Sequence, residues 1–209
     1  DHGNTTLHTD FTITSTGGTV TTTGTLNDDG SSATTSNVTI NTNDVTTIAG
    51  AVGGTEAISS LTTDSAGTVA INSGSVTTVA DQSDGENLTT SQATTFSGDS
   101  ITFGGTSGFT GDTTINSANA TFLGDSTFAG NADLNIADDL NFQVGATFQS
   151  VSDIDAGDDA IFDGPVVVGA LSTVDAIDIT FNSTLDSSSG TNQSVVLGSN
   201  NTAGIITLN

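Results

Sequence analysis

Phe103, Phe122, Phe142, Phe162 and Phe181 follow one another at intervals of 19, 20, 20 and 19 residues. Few folds tolerate such a rhythm. A second row, Phe109, Phe128, Phe148 and Val168, has intervals of 19, 20 and 20, and a third, Phe96, Ile115, Leu134, Ile154 and Val174, has intervals of 19, 19, 20 and 20. Self-similarity at a fixed period of this size is the signature of a stacked repeat architecture. The stretches 132–150 and 152–169 are two versions of one line.

Within each line apolar and polar residues alternate: ITF (101–103), ATF (120–122), LNF (140–142), AIF (160–162) and ITF (179–181). Period two is the pattern of a strand with one face buried. Thr, Val, Ile and Phe favour strands, and the Gly, Asn, Asp and Ser between them favour turns. No segment carries a helical period of 3.6.

The first half repeats more loosely. Residues 36–50 match 67–81 at an offset of 31, 17–25 match 98–106 at 81, and 36–44 match 118–126 at 82. An offset near 81 is read as four coils of about twenty residues. A single strand–turn line cannot bury its apolar face alone, whereas stacked lines can. The spacing therefore predicts an all-β fold, a right-handed parallel β-helix (β-solenoid) with coils of 19–20 residues. Roughly ten coils would span about 50 Å. Residues 1–209 form one elongated unit: less regular coils over 1–93, regular coils over 94–185 and a terminal coil over 186–209. The alternative is an antiparallel β-sandwich with evenly spaced strands, a filament subunit that lends AGIITLN (203–209) to its neighbour.

Charge narrows the partners. The chain has no Lys or Arg against 24 acidic residues, a formal net charge of −24. Nucleic acid and anionic membrane surfaces repel it, and cations, Ca²⁺ among them, attract it. No apolar run is long enough to span a bilayer. The chain has no Cys and no basic signal-peptide start, and it reads as a mature or excised piece. With no Lys or Arg it offers nothing to trypsin-like proteases. Seven Asn-x-Ser/Thr sites, at Asn4, Asn37, Asn87, Asn119, Asn182, Asn192 and Asn200, are close to the number expected by chance.

Residues 51–78, AVGGTEAISSLTTDSAGTVAINSGSVTT, resemble a repeat of giant bacterial surface proteins, the filamentous-haemagglutinin-like and autotransporter-like adhesins. The resemblance rests on Val52-Gly53-Gly54, Ser60-Leu61-Thr62-Thr63-Asp64, Gly67-Thr68 and Ile71-Asn72, in order, and covers roughly residues 5–90. It implies a parallel β-helical stalk or surface layer, and neither catalytic residues nor a particular receptor. The family's Tyr after the VTT segment is replaced here by ADQSDGENL (80–88).

Carboxylates repeat with the coil. Asp138, Asp158 and Asp178 recur at intervals of 20, with Asp139 and Asp159 beside the first two. Asn116, Asn135, Asp155 and Asp175 form a second series. Stacked one strand apart, each like-charged pair would cost about 0.8 kcal/mol even in water. The side chains splay at turns, or Ca²⁺ bridges them with Asp138, Asp158, Asp178, Asp139, Asp159, Asp155 and Asp175 as ligands, or a pair is catalytic. Neither an EF-hand loop nor the GGxGxD nonapeptide is present. An interior Asn ladder at a corner is the structural reading of Asn116 and Asn135. NDDG (27–30) reads as a turn, with Ca²⁺ second.

An enzyme is not expected. His2 and His8 are the only histidines and read as solvated. No nucleophile–base set, phosphate-binding loop or zinc cluster is present. The one enzymatic option is a β-helical polysaccharide hydrolase using Asp158 with Asp178 or Asp155. A binding module is the next class, with exposed Thr arrays such as TVTTTGT (19–25) facing glycan or ice. The leading expectation is an extracellular or cell-surface structural β-solenoid, a stalk, surface layer or filament block that self-associates end to end.

Overall fold

The structure is a computed structural model that describes residues 3–31, 35–188, 193–199 and 204–209. Every regular element among them is a β-strand, and every strand pairing is parallel. The strands stack as a β-solenoid of about nine turns. The antiparallel sandwich is thereby overturned. The proposed donor strand belongs to the chain's own stack, since Ile206–Leu208 pairs with Ile179–Phe181.

One coil shows how the sequence makes the shape. Strand Thr113–Ser117 lies in a seven-stranded sheet, Asn119–Phe122 in a ten-stranded sheet and Ser126–Phe128 in a nine-stranded sheet; Ala132–Ile136 then returns to the first. The corners are Ala118, then Leu123-Gly124-Asp125, then Ala129-Gly130-Asn131. Each strand alternates buried and outward residues, so one period-two line feeds a three-sided core. The ten strands of the longest sheet span roughly 43 Å at about 4.8 Å per step.

The three apolar rows become three inner columns. Register places Phe103, Phe122, Phe142, Phe162 and Phe181 one above another. Their rings are nearly parallel, with centroids 4.3 Å apart at Phe122–Phe142 and 5.3 Å at Phe142–Phe162. The Phe109 column stacks likewise. Between columns the rings meet edge to face, as Phe103 and Phe109 do at 5.5 Å, an arrangement their quadrupoles favour. The third column extends further back than expected, from Phe96 through Val76 and Val52 to Leu26.

The early coils are longer. Phe11 pairs with Val38, 27 residues on; Val38 pairs with Leu61, 23 on; Leu61 pairs with Gln82, 21 on. The offset of 82 is a true register, because Val38, Leu61, Gln82, Ile101 and Ala120 form one column. The offsets of 31 and 81 are not. Asn37–Thr42 lies in the ten-stranded sheet and Thr68–Ile71 in the nine-stranded one; Val20–Thr22 and Ser100–Phe103 are likewise on different sheets. These matches reflect similar strand–turn–strand corners placed on different faces of the stack.

The VGG motif has a local cause. Val52 alone bridges Leu26 and Val76, standing in for a whole strand. Gly53 then turns at φ +64, and a Cβ there would lie 2.1 Å from the Thr77 carbonyl oxygen. Only glycine fits.

Candidate functional site

At the corners, Asn and Asp side chains substitute for missing backbone partners. Asn4, Asp10, Asn27, Asn87, Asp112, Asn119, Asp125, Asp139 and Asp178 each accept, through Oδ1, a backbone N–H from the next coil at 2.8–3.3 Å. The direction is always the same: the earlier coil accepts and the later one donates. A chain leaving a sheet strands an amide, and a short polar side chain satisfies it. The Asn-x-Ser/Thr asparagines share this kind of bonding: Asn37 also donates to Asp10 and accepts from Ser60, and Asn182 donates to Asp163. Asn192 and Asn200 lie outside the described residues.

The acidic rows stack, with one change of register. Asp159 pairs with Asp178, and the Asp159 N–H donates to Asp139. Asp178 thus stands in the row of Asp139 and Asp159, not that of Asp138 and Asp158. The cause is one residue fewer at the corner: Gly157-Asp158-Asp159 precedes Ala160, whereas Ile177-Asp178 precedes Ile179. Asp138 and Asp158 remain linked, Asp158 N–H donating to the Asp138 carbonyl at 3.0 Å.

Asn116, Asn135, Asp155 and Asp175 are in register as expected. They face outward from mid-strand rather than lining an interior corner, because Ile115, Leu134, Ile154 and Val174 take the inward positions. Asn135 donates to Asn116 at 3.1 Å and to Asp133 at 3.1 Å. Burial, then Asp153, Asp175 and Asp133, pushes the Asp155 carboxyl up. Burial, then Asp158, Asp139 and Asp178, does the same to Asp159.

Among the described residues no group of three or more His, Asp or Glu side chains is gathered as a metal ion requires. A parallel strand hands each outward carboxylate to a different coil, so the rows make a line of charge and not a cage. Asp158 and Asp178 lie on adjacent coils, the Asp178 N–H 3.3 Å from the Asp158 carbonyl oxygen. Beside Asp155 is an open groove of about 310 Å³ lined by Asn135, Ile136, Ala137, Ala156 and Gly157. The interior among Phe148, Phe162, Val168 and Phe181 holds a void of only about 10 Å³.

At NDDG, Asp28 turns inward and accepts the N–H of Gly30 at 3.0 Å and of Ser36 at 2.7 Å. The Ser36 bond, then that of Gly30, holds its carboxyl below the ordinary carboxylate range. Exposed His8 meets Asp29, whose carboxyl is lowered first by Ser31 and then by His8. His2 lies outside the described residues.

Two features escape a reading of apolar rows. The outward row of the ten-stranded sheet runs Thr12, Thr39, Thr62, Ser83, Thr102, Thr121, Asn141, Ile161, Thr180 and Thr207. Asp84 and Glu86 are buried, at 1% and 2% exposure. The period does locate Asp84: nineteen residues before Phe103 is position 84.

Neither a known protein family, a curated protein nor a solved structure matches the chain. The description therefore stands on geometry: a parallel β-solenoid of the kind compatible with repetitive β-helical surface proteins.

Proposed function

We propose that this chain is a length of structural shaft, a rigid β-solenoid segment of an extracellular or cell-surface protein of adhesin, surface-layer or filament type. One observation carries the reading. The column Leu26, Val52, Val76, Phe96, Ile115, Leu134, Ile154, Val174 and Leu197 runs unbroken through the stack, and the Asn and Asp corner caps all run in one direction. Repetition along one axis makes length and stiffness. The resemblance of residues 51–78 to filamentous-haemagglutinin-like repeats supports the same reading.

The last coil presents its inner row outward. Leu185, Val195 and Leu197 are only partly covered, and Ile206 and Leu208 are 42% and 66% exposed. In this proposal a second copy stacked end to end covers this row and pairs the outermost strands. Ca²⁺ enters the proposal as a counter-ion along the acidic rows. Negative-stain imaging and small-angle scattering test the shaft: rods of roughly 43 Å or multiples of it are expected. A compact, concentration-independent particle would overturn it.

The threonine row favours a second reading, a flat binding face for an ordered surface such as a glycan fibre or ice. Seven of its ten members are Thr, one per coil, with the regularity of a lattice. Ice-recrystallisation and insoluble-polysaccharide pull-down assays decide it. Loss of binding in a Thr102→Tyr, Thr121→Tyr variant that still folds supports it. An inert wild type sinks it.

A further inference from the structure

The strand Gln82–Asp84 places polar side chains where its neighbours are mostly apolar. Gln82 stands between Leu61 and Ile101, and Asp84 between Thr63 and Phe103. Glu86 follows at the corner. All three are at most 2% exposed. The Gln82 amide is held, Nε2 donating to the carbonyls of Ser97 at 2.7 Å and Val76 at 3.2 Å. No carboxyl oxygen of Asp84 or Glu86 completes a hydrogen bond of normal geometry.

The groups around this pair supply no compensating charge. From the preceding coil come Thr63 and Asp64, and Asp64 lies against Glu86. The following coil contributes Ile101 and Phe103. The strand Asn87–Thr90 turns Leu88 and Thr90 inward. The chain has no Lys or Arg, and its two histidines lie in the first eight residues. Among the described residues no chelating group is gathered here either. The Thr63 hydroxyl is a donor beside Asp84, but no cation faces either carboxylate, so burial outweighs it and the charged form is strongly disfavoured. Only a proton restores neutrality.

We propose that Asp84 and Glu86 form a proton-operated latch, closed when both carry protons and opened by ionisation, at the junction between the long early coils and the regular phenylalanine-rich stack. Closed, the coil packs between Leu61 and Ile101. Opened, it draws water to the carboxylates and separates the two parts of the stack locally.

Burial pushes the Asp84 carboxyl up to about 7, and burial together with Asp64 and Asp84 pushes Glu86 up to about 8. Both folded values lie above the unfolded ones. The stabilisation is therefore full below the ordinary carboxylate range and is lost as pH rises through about 7 to 8.

The test is thermal unfolding by circular dichroism from about pH 5.5 to about pH 9 at fixed ionic strength. The wild-type midpoint is expected to fall by about 5–10 °C. The Asp84→Asn, Glu86→Gln double variant should lose most of that fall. An Asp138→Asn, Asp158→Asn control removes two exposed charges and should keep it. A flat wild-type profile, or a control that flattens it equally, overturns the latch. If the double variant does not fold, infrared spectroscopy of the wild type decides. A protonated carboxylic-acid carbonyl band that persists near neutral pH and disappears on alkalinisation supports the proposal; carboxylate bands alone at neutral pH overturn it.

Discussion

Asp125 accepts, through Oδ1, the backbone N–H of Gly145 one coil further along, at 2.9 Å. A Cβ on residue 145 would lie 2.8 Å from that same oxygen. Acceptor and glycine thus form a matched pair; at the other corners the same kind of bond is donated by a non-glycine amide. Asp125→Ala strands the Gly145 amide and is expected to cost about 1–2 kcal/mol. Asp125→Asn keeps the acceptor and should cost well under half of that. Denaturant unfolding followed by circular dichroism compares the two.

Phe142 is stacked between Phe122 and Phe162 and meets Phe128 and Phe148 edge to face. Phe142→Ala opens a cavity that neighbours fixed by their own coils cannot collapse into, at an expected cost of about 3–5 kcal/mol. Phe142→Leu fills more of the space and should cost less. Hydrogen exchange in the variant should rise first in the coils that hold residues 122, 142 and 162, since a solenoid couples mainly through nearest neighbours.

Gly53→Ala meets two penalties, a left-handed φ of +64 and a Cβ 2.1 Å from the Thr77 carbonyl oxygen. The loss should exceed the roughly 1–2 kcal/mol of the conformation alone. It is read as a lowered unfolding midpoint, with Gly3→Ala, where a Cβ meets nothing within 4 Å, as the control.

Asp155 stands between Asn135 and Asp175 in the outward row, with Asp153 beside it. Its raised carboxyl means that its repulsion grows as pH rises through its titration. Asp155→Asn extends the Asn116–Asn135 ladder and is expected to stabilise by about 0.2–1 kcal/mol at neutral pH. The gain should shrink at high salt, where surface charges are screened. An undiminished gain in 1 M salt would show that charge is not its origin.

Among the described residues the acidic rows run along the stack with no group of three or more His, Asp or Glu gathered as a metal ion requires. Added Ca²⁺ and added Na⁺ are therefore both expected to raise the unfolding midpoint by screening, with Ca²⁺ effective at lower concentration. A chelator at fixed ionic strength should leave the midpoint of metal-free protein unchanged. A saturable Ca²⁺ isotherm with a stoichiometric heat would contradict this.

The phenylalanine spacing made the regular half of the fold readable, because a strand one coil long returns each inward side chain to the same column. The early coils were less readable. Their lengths of 27, 23 and 21 residues differ, and local corner similarity produced offsets that were not registers. The strand holding Asp84 carries no apolar alternation to announce it, although counting one coil back from Phe103 reaches it. The spacing aligns the Asn116 row, but register does not say which side of a strand looks inward until the flanking Ile115 and Leu134 are placed.

By itself the sequence determined the period, the strand character and the excess of negative charge, for these are properties of spacing and composition. Only the tertiary structure decided that Asp178 stacks on Asp159 rather than Asp158, and that Asp84 lies inside while Asp155 lies outside. A corner shortened by one residue moves Asp178 onto Asp159 while Phe181 stays on Phe162. The burial of a carboxyl depends on the coils above and below, which the line of sequence does not place.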